Sequence, residues 1–156
     1  MWFLGVLGTL RALFLANNSL HEIPETLTRF KVLEHLDLSM NFIRNLQILG
    51  IGGQQSERQS PLWKSLTYLD LSHNAMRNIT GDEYLPKDLE TLSLKHNDLS
   101  LSDLRNIRLN PSLDKLDVSF NDLNGTLTKS AFNPYSASSY NSCNLTSLNL
   151  SSNKIR

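Results

Sequence analysis

The 156-residue sequence has a single cysteine, Cys143, so no disulfide closes within it and no cysteine-rich metal site can be built from it. It also lacks any apolar run near the roughly eighteen residues that a membrane-crossing helix requires, and direct membrane insertion by this segment is not expected. Neither charge is in excess, since fifteen Lys and Arg offset fifteen Asp and Glu. Without a net field the chain does not gather phosphate backbones or anionic lipid from a distance, and nucleic acid is not an expected partner. Signatures of catalysis are missing as well. There is no G-x-S-x-G elbow and no H-E-x-x-H helix, and Gly50-Ile51-Gly52-Gly53 lacks the strand-to-helix context of a phosphate-cradling loop. The expectation is a protein that is not an enzyme and has no cofactor.

What the sequence does have is internal repetition, the signature of a stacked-repeat fold. In Leu10-Arg11-Ala12-Leu13-Phe14-Leu15-Ala16-Asn17-Asn18-Ser19-Leu20, apolar residues stand at positions one, four, six and eleven, and an asparagine stands at position nine. The frame recurs from Leu33, Leu66, Leu89, Leu113 and Leu145, each time with its asparagine: Asn18, Asn41, Asn74, Asn97, Asn121 and Asn153. Successive starts at 10, 33, 66, 89, 113 and 145 are 23, 33, 23, 24 and 32 residues apart. The two long steps place loop insertions near 50–62 and 132–143, in polar stretches rich in Gly, Ser, Asn and Gln.

The frame has a physical cause. Apolar residues at positions four and six flank one outward residue, the alternation of a short strand with one buried face. One strand per copy gives a parallel sheet. Where the chain then turns, an Asn amide supplies donors and an acceptor to backbone groups that would otherwise be buried unpaired, so the six asparagines should form a ladder. The return halves, Pro24 to Phe30 and Ser102 to Leu109, read as weakly helical. Ser102 with Arg105 does not complete a capping box, so the second should be short.

The fold expected is α/β, a right-handed solenoid or horseshoe with a parallel sheet on its concave side, occupying residues 1–156. The opening Trp2 to Leu10 could pass for a secretory leader, but Leu4, Leu7 and Leu10 have the spacing of a preceding return segment. No polar cap is evident, and the sequence reads as cut from a longer array, with neighbouring repeats or caps of the parent chain as its immediate partners.

Function is sought on the outward columns of the sheet. The middle column reads Phe14, Asp37, Asp70, Ser93, Asp117 and Asn149, an acidic stripe that simple solvation would also explain. Two other columns carry His35, Tyr68 and Lys115, and His73, His96 and Phe120. These six are the candidate binding residues, because amphipathic rings supply protein-binding hot spots; rings that merely cover the rim are the plain alternative. His73 and His96 fall at equivalent places on adjacent strands, yet two imidazoles are fewer than the three or four ligands of a zinc site, and no metal is expected. Asn78, Asn124 and Asn144 begin N-x-S/T triplets and are possible glycosylation sites, as are Asn17 and Asn149 by the same rule. The triplets lean the setting towards extracellular or cell-surface over cytoplasmic.

Over nearly its whole length the sequence resembles the leucine-rich-repeat superfamily. Leu66-Thr67-Tyr68-Leu69-Asp70-Leu71-Ser72-His73-Asn74, the Leu85-Pro86-Lys87-Asp88-Leu89 entry to the next strand, and the uneven repeat lengths look most like ectodomains of Toll-like receptors and related cell-surface proteins. That resemblance implies a receptor-type recognition module with a protein ligand, acting in signal transduction. Leu20-His21-Glu22-Ile23-Pro24-Glu25-Thr26-Leu27 is similar instead to the repeats of intracellular scaffolds, which leaves a scaffold or regulatory arm of a signalling enzyme as the alternative.

Overall fold

The computed structural model describes residues 5–46, 63–77, 85–106, 112–127 and 144–156. Its strands are β1 (Ala12–Phe14), β2 (His35–Asp37), β3 (Tyr68–Asp70), β4 (Thr91–Ser93), β5 (Lys115–Asp117), β6 (Asn124–Gly125), β7 (Ser147–Asn149) and β8 (Lys154–Ile155). Six of them form one parallel sheet in the order β1-β2-β3-β4-β5-β7, and β6 and β8 form a second, two-stranded parallel sheet. The main-sheet strands are only three residues long because each repeat has to supply no more than one rung before turning back.

Register follows the repeat frame without slip. Leu13, Leu36, Leu69, Leu92, Leu116 and Leu148 are matched in succession across the main sheet. A slip by one residue would turn every leucine outward, so burial itself enforces this alignment. Leu36, Leu69 and Leu92 are wholly buried, as are Leu38, Leu71 and Leu94 two places on and Leu33, Leu66, Leu89 and Leu113 three places before the strand leucine. Each such side chain contributes about 2 kcal/mol on removal from water, which lets three-residue strands persist. The result is a leucine-lined solenoid with a parallel sheet on one face.

The return halves differ. After β1 the chain makes a 3-10 helix, Glu25–Arg29, with its acid in the first turn and its base in the last, as the peptide dipoles favour. Leu27 and Phe30 are its buried anchors. After β4 it makes helix α1, Leu101–Asn106. The helix is short, as expected, and Ser102 with Arg105 forms no box; the cap lies two residues earlier, at Ser100 and Asp103. The Ser100 N–H donates to Asp103 Oδ2 at 2.8 Å and the Asp103 N–H donates back to Ser100 Oγ at 3.3 Å. The buried pair Leu101 and Leu104 sets where the helix begins. The expected insertions near 50–62 and 132–143 lie outside the described residues. The chain resumes after the first at Trp63, buried, whose Nε1–H donates to Leu27 O at 2.6 Å and ties the end of the second repeat to the first return segment.

Candidate recognition face

Each turn that follows a main-sheet strand is held by an asparagine. The Asn97 amide donates to Leu71 O in the preceding repeat and to Leu94 O and Lys95 O in its own, while its Oδ1 accepts the Met76 N–H. Asn41, Asn74, Asn121 and Asn153 repeat this pattern, each accepting one backbone N–H from the preceding repeat: Leu20, Ile43, Leu99 and Leu123 in turn. Asn18 donates only within its own repeat, to Leu15 O and Ala16 O. The arrangement forces the residue just before each asparagine into the left-handed region: Asn17, Met40, His73, His96, Phe120 and Ser152 have φ between 51° and 57°. None is glycine, and each such residue costs about 1–2 kcal/mol, which the amide bonds around it must offset.

The outward residues form three rows. Ala12, His35, Tyr68, Thr91, Lys115 and Ser147 are in register, and so are Phe14, Asp37, Asp70, Ser93, Asp117 and Asn149. The third row is the left-handed set beyond the strand ends. The structure arranges the candidate rings in two stacks. His35 lies flat on Tyr68, with ring centroids 4.0 Å apart and planes 4° apart, and Phe14 adjoins His35 at 5.1 Å. In the third row His96 stacks between His73 and Phe120, both at 4.2 Å. Lys115 belongs to neither stack; its register neighbours are Thr91 and Ser147.

The Asp row has a structural task. Asp37, Asp70 and Asp117 each accept the backbone N–H of the serine two residues on, Ser39, Ser72 and Ser119, at 2.8–2.9 Å, and Asn149 accepts that of Ser151 at 3.1 Å. These side-chain turns explain why Asp or Asn followed by Ser recurs. Phe14 interrupts the row and is 64% exposed, which makes it a surface residue that reading the column as acidic passed over. Phe42, exposed and stacked on His21 at 5.5 Å, was also passed over, as was Lys95, whose ammonium sits 5.3 Å above the Phe120 ring. The available signal was an aromatic at a place where the other copies carry small or polar residues.

Two groups on this face titrate away from their ordinary values. Burial raises the Tyr68 phenol, and the carboxylates of Asp70 and Asp37 raise it further. Desolvation within the ring stack lowers His96, with His73 and Lys95 adding to the effect and Asp117 opposing it. Among the described residues there is no cluster of three or more His, Cys, Asp or Glu able to hold a metal. Of the triplet asparagines, Asn124 and Asn144 are exposed, while Asn78 lies outside the described residues. Asn149 is committed on β7, its Nδ2–H donating to Asp117 Oδ2 at 3.0 Å. No helix among the described residues is long and apolar enough to cross a membrane.

Strand per repeat, leucine interior and asparagine-held turn together define a leucine-rich-repeat solenoid, and this chain belongs to the leucine-rich-repeat superfamily. A family model described as Leucine Rich repeat matches residues 64–78, 109–126 and 141–156. Toll-like receptor 9 of Canis lupus familiaris is 32% identical over 123 residues, covering 78% of this chain and 12% of the receptor. Receptor-like protein 7 of Arabidopsis thaliana is 35% identical over 120 residues, covering 76% of this chain and 11% of that protein. The chain thus spans about a ninth of the curated relatives it matches. Among solved structures, the TLR13 chain of a complex with ssRNA13 superposes with a TM-score of 0.67 at 29% identity, over 92% of this chain and 18% of that one. A chain of the LRIM1/APL1C complex, at 20% identity, has a TM-score of 0.54 over 94% of this chain and 27% of its own, a likeness of fold alone.

Proposed function

We propose that this chain is a section of the recognition surface of a cell-surface, receptor-type ectodomain, and that its exposed sheet face binds a protein partner. The observation that carries the reading is the pair of ring clusters on outward rows, Phe14 tilted against the stacked His35–Tyr68 and the stack His73–His96–Phe120, built from residues that contribute nothing to the leucine interior. Solvent-facing rings in contact with one another form a preassembled surface, so little side-chain entropy is lost when a partner covers them. The receptor relatives support the class. The RNA in the TLR13 complex belongs to that protein; here Asp37, Asp70 and Asp117 cross the sheet face, and their charge opposes a phosphate backbone. Lys115, between neutral neighbours, serves as a rim cation.

The test is site-specific photocrosslinking in extracts of the native source. A photoreactive phenylalanine analogue is placed at Phe120, or at Glu25 on the return side as the control. The expected result is one protein adduct from Phe120, none from Glu25, and loss of that adduct on His73→Ala/His96→Ala. Equal labelling at both places, or labelled nucleic acid in place of protein, overturns the reading. Glycan on Asn124 or Asn144 in native protein would favour the cell-surface setting over an intracellular scaffold.

A further inference from the structure

The sheet face is not uniform in charge. Across β1 to β3 the two strand rows read Phe14, Asp37, Asp70 and Ala12, His35, Tyr68, so two carboxylates and three rings lie on adjoining strands about 5 Å apart. At β4 both rows turn neutral, with Thr91 and Ser93, and at β5 a cation, Lys115, accompanies the row's next carboxylate, Asp117. Among the described residues the two ion pairs are Arg11–Glu34 and Lys154–Asp122, and neither involves Asp37 or Asp70. Their turn bonds to Ser39 and Ser72 leave both carboxylates without a cationic partner among the described residues. The Tyr68 hydroxyl donates to Asp70 Oδ2 at a long 3.4 Å, and the same two carboxylates raise its pKa, so the phenol already feels the negative field.

We propose that the β1–β3 part of this face docks an extended segment of the protein partner through an arginine side chain, seated against Asp37 and Asp70 beside the Phe14, His35 and Tyr68 rings. The inference rests on the protein-recognition reading above and adds the chemistry of the partner. The face offers flat rings, Phe14 largely exposed among them, next to paired carboxylates. A guanidinium suits this combination, because it stacks on aromatic faces and forks onto carboxylates, while an ammonium does only part of either. The partner segment is extended because the acidic and aromatic positions run across consecutive strands in a shallow row.

The structural role of the aspartates can be separated from this one. Asn149 occupies the same row, and its Oδ1 accepts the Ser151 N–H as Asp37 and Asp70 accept those of Ser39 and Ser72, so Asp37→Asn/Asp70→Asn removes charge while keeping a turn that the fold already builds with Asn. The experiment is fluorescence anisotropy of the 156-residue chain with a labelled, capped Ala-Arg-Ala-Arg-Ala peptide, with Lys and Glu versions of it, and with a single-stranded RNA oligonucleotide. The arginine peptide should bind best and lose affinity with salt. Asp37→Asn/Asp70→Asn should weaken it by roughly tenfold or more with the circular dichroism unchanged, and Phe14→Leu by roughly threefold. No binding of the arginine peptide, an undiminished affinity in the double variant, or equal or tighter binding of the Glu peptide or RNA overturns the proposal. Crosslinking at Phe120 reports separately whether the face binds protein at all, so the partner's chemistry can fail while the recognition reading stands.

Discussion

Asn97 and Asn18 occupy the same place in the repeat, yet they differ in almost everything that matters to stability. Asn97 is buried, donates to three carbonyls and accepts the N–H of Met76. Asn18 is exposed and donates to two carbonyls of its own turn. The same contrast holds for the strand leucines, since Leu92 is wholly buried on a central strand and Leu148 is 39% exposed on an edge strand of the described sheet. An identical motif therefore acquires its energy from its neighbours. In a solenoid the stabilisation is shared between adjacent repeats, and an edge repeat holds only half of it.

Three measurements would sharpen or break that contrast. The largest effect is expected for Asn97→Ala, which strands buried backbone groups in two repeats and should cost about 4 kcal/mol in urea denaturation, whereas Asn18→Ala should cost under about 1 kcal/mol. Equal losses would mean that the ladder is local to each turn. Next, Leu92→Ala should cost about 3 kcal/mol and Leu148→Ala about 1 kcal/mol, because only the first opens a cavity that the fold cannot collapse. Similar values would deny the difference between centre and edge.

The smallest effect concerns the third row. His96 should titrate below 6.5 in an NMR pH series and move back upward in His73→Ala, which removes a like charge and part of the desolvating stack. The sign for stability follows from the lowered value. The contribution of neutral His96 is complete above pH 6.5 and is lost as pH falls through the folded-state value, so acid should loosen the His73–His96–Phe120 stack. A His96 pKa at or above 6.5 would show that the stack does not desolvate the ring.

The interior was the more legible half of the molecule. Leucine spacing specifies which residues turn inward, and a strand of period two allows only one alignment that buries them, which is why the register Leu36–Leu69–Leu92–Leu116 is legible in the sequence. The outer face was read less well. His35, Tyr68, His73, His96 and Phe120 stood out as candidates, but their division into two stacks depends on which row each belongs to and on the left-handed turn that carries the third row away from the strands. Phe14 was hidden by the acidic character of its column, and the Ser100–Asp103 cap by the periodic pattern around Ser102.

The sequence by itself determined the repeat, the inward leucines and the asparagine at every turn, because those choices are made within a dozen residues by burial and hydrogen-bond demand. Tertiary structure decided what the outward residues do. Ring pairs such as His35–Tyr68 and His73–His96 are more than twenty residues apart in the chain, and only the parallel stacking of separate repeats brings them into contact.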